Sequence, residues 1–136
     1  MRVISAFLLT INEICAIIDV EIISKGNKKM YESEKERLKK QTSFTMDDLN
    51  LIMKILRAKD GCPWDIEQTH ESIVPSLIEE TYEAVEAIEQ RNPKMLKEEL
   101  GDVLLQVAFH ARISEEAGEF DFSDVVADVS LWHRCI

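Results

Sequence analysis

The sequence predicts an all-α protein organised around an antiparallel helical hairpin, and three observations predict it. No convincing alternation of apolar and polar residues, the mark of a half-buried strand, occurs after residue 44. Apolar residues recur there at spacings of three and four instead. Between two such stretches stands a short turn signal, Arg91-Asn92-Pro93, so the flanking helices should fold back on one another.

Residues 3–23 are rather apolar, but Asn12, Glu13, Asp19 and Glu21 interrupt them. Such groups are costly in mid-bilayer, so no membrane span is expected, and no clean apolar run with a small-residue cleavage site suggests a signal peptide. The segment reads as a strand or helix that packs on something absent from this chain. Residues 25–43 are strongly polar and charged and read as a linker or a solvated helix. The expected organisation is an N-terminal extension over 1–43 and a helical domain over 44–136. The first domain helix is placed from Met46 to Ala58, after a weak start signal of Thr45 and Asp48, with Leu49, Ile52, Met53 and Leu56 on one side. A loop rich in turn residues follows, Lys59 to Asp65. The second helix is expected from about Ser72 to Gln90, with Pro75 in its first turn. Asn92 and Pro93 suit the cap and first residue of a third helix, which should end near Ala117 with Gly118 as its stop. A last helix is expected from Ser123. The third helix carries Val103, Leu104, Leu105, Val107, Ala108 and Phe109 around nearly its whole circumference. A helix apolar on all sides is buried on all sides, so association with a second copy is expected, giving a four-helix bundle in a homodimer or larger assembly.

The chain has 136 residues and a net charge of −10, enough for one domain with a modest core and the wrong sign for a general nucleic-acid binder. A nucleotide substrate remains compatible, because metal ions bridge acidic protein and anionic phosphate. Cys15, Cys62 and Cys135 are far apart and include no Cys-x-x-Cys pair, which fits a reduced cytosolic protein. His70 and His110 show no second histidine at useful spacing and read as packing or surface residues.

The most informative residues are four acids in two i, i+3 pairs: Glu80 with Glu83, and Glu99 with Asp102. With the turn near residue 91, Glu80 lies opposite Asp102 and Glu83 opposite Glu99, all roughly 10–18 Å from the turn. The apolar stripes read Leu77, Thr81, Ala84, Val85, Ile88 on one helix and Leu96, Leu100, Val103, Val107 on the other. Within each pair, the first acid stands about 60° from the first stripe residue and the second about 120°, in the same sense, so both pairs project to one side of the hairpin. Four negative charges so placed raise one another's pKa values unless a cation shares them. Oxygen ligands on rigid helices suit Mg²⁺, with Mn²⁺ as the near equivalent. Elsewhere, Trp64 could stack on a base or anchor the core. Asp65 and Gln68 could bond a nucleotide, or Asp65 could cap a helix. Lys54 and Arg57 stand one turn apart, where they could meet phosphate or form a solvated face.

Residues 44–126 resemble the MazG-type nucleoside triphosphate pyrophosphohydrolases. The likeness rests on LRAKDGCPWDIEQTHES from Leu56 to Ser72, LIEETYEAVEAIE from Leu77 to Glu89, and LKEELGDVLLQVAFHARI from Leu96 to Ile113. The family hallmark, Glu-Glu-x-x-Glu followed by Glu-x-x-Asp, stands here as Glu79-Glu80-Thr81-Tyr82-Glu83 and Glu99-Leu100-Gly101-Asp102. The resemblance implies an all-α, Mg²⁺-dependent enzyme that cleaves a nucleoside triphosphate to the monophosphate and pyrophosphate. By motif match it makes Glu80, Glu83, Glu99 and Asp102 metal ligands and gives Glu79 a part in orienting or deprotonating the attacking water. Residues 1–43 have no counterpart in such a domain and fit the remnant of a fused one. After Val126 the family usually continues through a basic helix, whereas this chain reads Ser130-Leu131-Trp132-His133-Arg134-Cys135-Ile136. That departure is expected to reflect truncation or divergence. It motivates the alternative of a non-catalytic helical interaction module.

Overall fold

The computed structural model describes residues 31–132, so the expectations for residues 3–23 and for the last four residues lie outside it. Six helices and no strand occur among the described residues. They fall into two compact units that divide between Gln68 and Thr69.

The first unit contains α1 (Glu32–Lys40), α2 (Met46–Leu56) and the short α3 (Pro63–Glu67). Residues 32–40 thus take the helical of the two readings given to the polar stretch. The helix is tied down by charge. Lys35 is buried and reaches Asp60 at 3.6 Å, and Arg37 donates to Asp48 at 2.8 Å. Asp48 does double duty, because Thr45 and Asp48 form a complete capping box at the start of α2. The Thr45 amide and hydroxyl, with the Arg37 guanidinium, hold the Asp48 carboxyl well below the usual carboxylate range. α2 ends at Leu56, before the expected Ala58. The chain then folds tightly onto the helix end, with Cys62 N–H donating to the Leu56 carbonyl at 2.8 Å. Gly61 makes that approach feasible: a β-carbon there would overlap the Leu56 and Ile55 carbonyl oxygens and stand 2.7 Å from the Leu56 carbonyl carbon.

The second unit is the expected hairpin, α4 (His70–Glu89) against α5 (Pro93–Ala117), with α6 (Phe122–Trp132) in contact with α5. α4 begins earlier than the apolar pattern indicates. Thr69 and Ser72 form a reciprocal capping box, so the cap rather than the first periodic apolar residue sets the start. Pro75 consequently lies in the sixth helical position, beyond the first turn, and the Glu71 carbonyl forgoes an i+4 amide there. At the turn, Asn92 Oδ1 accepts from the Met95 amide at 3.2 Å, with Pro93 in the first helical position. Gly118 ends α5 at φ 73°, and the Glu119 amide reaches back to the Ser114 carbonyl at 3.0 Å.

The apolar stripe of α4 is not the one the spacing suggests. Its buried face is Ile73, Glu80, Ala84 and Ala87, while Thr81, Val85 and Ile88 are exposed, as is Leu100 on α5. α5 buries Gln106, Ala108, Phe109, Ala111 and Ser114. Small side chains dominate both buried faces and permit close packing, which leaves several larger aliphatic groups outward.

Candidate metal centre

Rotation of α4 about its axis puts Glu80 on the buried face, where it is only 6% exposed, instead of beside an apolar stripe. Glu83, one turn on, and Glu99, across the hairpin on α5, are half-buried. Carboxylate oxygens of Glu80, Glu83 and Glu99 lie within 4.8 Å of one another, a spacing that one cation could span. The hairpin therefore brings three of the four expected ligands into one group. Asp102 borders that group: its charge is the largest electrostatic influence on Glu80.

The electrostatics are those of a site that lacks a counter-charge. Burial first, then the charges of Asp102, Glu83, Glu99 and Glu79, push Glu80 up to about 7. Every charged neighbour acting on Glu80 is another acid. Glu99 also rises to about 7, through burial, the Glu83 charge, a hydrogen bond with the Glu83 carboxyl, and Asp102 and Glu98. Two carboxyls joined by a hydrogen bond share a proton, a substitute for the cation that would otherwise draw them together. Asp102 is raised by burial and by Glu83 and Glu98. Glu79 is half-buried and acts on Glu80 as the weakest of the four charges. Glu98, which lies outside the hallmark, adds to the negative field on Glu99 and Asp102. Its neighbourhood with Glu99 in sequence is the signal that could have pointed to it.

In the first unit, the loop residues serve one another. The Arg57 guanidinium donates to the backbone carbonyls of Asp65 and Gln68, and the Gln68 amide donates to the Trp64 carbonyl at 2.8 Å. Asp65 is buried. Burial raises its carboxyl against the lowering effect of the Cys62 thiol and Arg57. Burial together with Asp65 pushes the Cys62 thiol up, so the thiolate is disfavoured. Trp64 stays 40% exposed and Lys54 half-buried.

The histidines are packing residues, as one of the two readings has it, but each does have a second histidine within reach. His70 and His110 stand forty residues apart in the sequence and meet across the hairpin, with Nδ1 to Nδ1 at 2.7 Å. Spacing along one helix could not reveal this, but the hairpin register could: with the turn near residue 91, His70 falls opposite Arg112. His110 and Ser114, its observed partners, lie on either side of that position.

The hairpin defines an all-α protein with an acidic cluster between its helices, whose spacing fits a divalent cation. Residues 68–131 match the MazG nucleotide pyrophosphohydrolase domain, the family that the sequence resembles. It is 54% identical over 87 residues to the Thermotoga maritima nucleoside triphosphate pyrophosphohydrolase/pyrophosphatase MazG, covering 64% of this chain and 34% of that protein. It is 48% identical over 86 residues to the Escherichia coli nucleoside triphosphate pyrophosphohydrolase, covering 62% and 33%. Against the Mycolicibacterium smegmatis protein of the same name it is 58% identical over 67 residues, covering 48% and 21%. The aligned part of the chain thus spans about a third or less of the length of these relatives.

Proposed function

We propose that residues 44–136 act as a cytosolic, Mg²⁺-dependent hydrolase domain that cleaves nucleoside triphosphates to the monophosphate and pyrophosphate. One observation carries this reading: the mutually destabilised carboxylates of Glu80, Glu83 and Glu99, in a chain whose relatives bear that name. The donor set fits the metal, since hard oxygens on two rigid helices suit Mg²⁺ or Mn²⁺ and a positive charge relieves the repulsion. Glu80, Glu83, Glu99 and Asp102 would hold the ion. When bound, it neutralises phosphate charge, lowers the pKa of the attacking water and stabilises charge on the leaving oxygens. Glu79, at the edge of the cluster, orients that water or takes its proton.

The same reading includes a homodimer. Ile78, Tyr82, Val85 and Ile88 follow one another along an outer face of α4, all exposed, with Tyr82 at 71%. A contiguous apolar stripe of that kind favours a partner surface. Light scattering that returns a monomer at micromolar concentration would remove the dimer from the proposal. Among the described residues no helix is long and apolar enough to cross a membrane.

The hydrolase is tested by measuring pyrophosphate release from a panel of nucleoside triphosphates with Mg²⁺, with and without a chelator. Chelator-sensitive turnover is expected. A folded protein that binds Mg²⁺ and turns over none of the panel would leave the interaction-module reading in its place.

A further inference from the structure

The open end of the hairpin carries a second cluster that the acidic site does not use. His70 is the first residue of α4, and His110 and Ser114 stand one turn apart on α5. The ring centroids of His70 and His110 are 5.0 Å apart, their planes differ by 7°, and their Nδ1 atoms are 2.7 Å apart. An imidazole nitrogen lies roughly 1.15 Å from its ring centre, so these distances are met together only when both centres and both nitrogens fall nearly on one line. The rings are therefore coplanar and edge to edge, joined by an in-line N–H···N hydrogen bond, rather than stacked face to face. His70 Nε2 lies 3.2 Å from Ser114 Oγ, and Ser114 is 1% exposed. His110 Nε2 is buried with no hydrogen-bond partner.

Counting protons fixes what this arrangement can hold. The neutral pair shares one proton between its Nδ1 atoms. A further proton leaves one proton between the Nδ1 atoms and an Nε2–H on each ring, and the charge rests on His70, whose Nε2–H has the Ser114 hydroxyl as acceptor while the His110 Nε2–H has no partner. Yet another would put two N–H groups nose to nose at 2.7 Å and a second charge into a buried site. We infer that His70 and His110 form a one-proton latch, closed while the pair carries at most one positive charge and opened when His110 also becomes charged, parting α4 from α5 at the end away from the turn.

The direction of the His110 pKa agrees: burial first and His70 second push it below its ordinary value of 6.5. The surrounding charges do not replace the latch. On α4, Glu71 is held low by its own backbone amide and Thr69 before His70 contributes. On α5, Arg112 is engaged by Glu115 at 3.1 Å and Glu116 at 2.9 Å. At the start of α6, Asp121 and Asp124 each accept from the other's amide at 3.0 Å. The latch spans the same two helices that carry the acids, about 15 Å further along α4, and it holds whether or not the domain is a hydrolase.

Whole-protein melting is a poor readout, because Glu80 and Glu99 titrate in the same range. The test is site-resolved: nuclear magnetic resonance of the full chain labelled at histidine nitrogens, from pH 8 to 4.5, with amide exchange followed at His110 and Ser114. His110 is expected to remain neutral below pH 6.5 and to take its proton together with loss of the Nδ1 hydrogen bond. Corrected exchange at both amides should rise about tenfold for each unit by which the His110 pKa lies below its ordinary value. In His110→Asn the corrected exchange should lose this pH dependence. If that variant does not fold, the wild-type titration decides alone. Independent titration of both rings near the ordinary value, or protonation of His110 with unchanged exchange, would overturn the latch.

Discussion

Replacing Glu80 by Gln should stabilise the metal-free protein at alkaline pH, against the usual expectation for a change at a buried polar residue. Glu80 is 6% exposed and its pKa is pushed from 4.5 up to about 7. The folded state therefore binds its proton more tightly than the unfolded chain does. Stability from this group is fully present below pH 4.5 and is lost as pH rises through 7. At about 1.4 kcal/mol per unit, the ionised Glu80 costs the folded state on the order of 3 kcal/mol at pH 8, reduced to about 2 once neighbouring carboxylates adjust. Glutamine keeps the shape and carries no charge, so the variant escapes that cost. Thermal melting in chelator should show Glu80→Gln melting about 10 °C above wild type at pH 8. The difference should shrink toward zero at pH 4.5. A variant that melts at or below wild type at pH 8 would mean that the acids are not crowded as described.

Other expected outcomes follow from the same geometry. Glu83→Gln should retain the helical circular dichroism of the wild type and its oligomeric state, yet lose pyrophosphate release by at least about a hundredfold, as expected for loss of a ligand at a metal-assisted centre. Gly61→Ala should destabilise by about 1–3 kcal/mol in urea titration, because the new methyl overlaps backbone rather than a side chain that can swing away. Thr69→Ala should cost about 1 kcal/mol in the same assay by removing the α4 capping box.

The helical architecture and the acid cluster were legible because each depends on local pattern plus one turn. Asn92 and Pro93 fix where the chain reverses, and the reversal alone brings the α4 and α5 acids to one height. Rotation about each helix was less legible. Spacing of Leu77, Val85 and Ile88 suggests a larger apolar seam, but close packing favoured the smaller Ala84 and Ala87, and Glu80 turned inward with them. The α4 start is less legible because Pro75 suits a first turn and so favours a start near Ser72, whereas the Ser72 hydroxyl is the return half of the Thr69 box. The histidine pair is not legible along either helix alone, because contacts between helices follow the hairpin register, which sets His70 against the turn of α5 that carries His110 and Ser114.

The two clusters on α4 and α5 pull stability in opposite directions with pH, and a cation should reverse one of them. Without metal, the raised acids favour the folded state as pH falls, while the lowered His110 disfavours it as pH falls below 6.5. Glu80 and Glu99 are each raised to about 7 and Asp102 is raised with them, so the acids outweigh the single histidine and the metal-free melting temperature should rise as pH falls from 8 to 5.5. A cation held by the cluster favours the ionised forms of Glu80 and Glu99 and draws their folded pKa values below those of the unfolded chain. Their contribution is then present above the unfolded value and lost on acidification, in the same direction as His110. With saturating Mg²⁺ the melting temperature should rise at pH 8, by an amount that grows with the logarithm of Mg²⁺ concentration, and should fall steeply toward pH 5. Paired melting curves across that range, with Mg²⁺ and with chelator, measure the change of slope directly. Parallel curves would show that Mg²⁺ does not engage the ionised acids, and the cluster would then be a surface of mutual repulsion with no cation to resolve it.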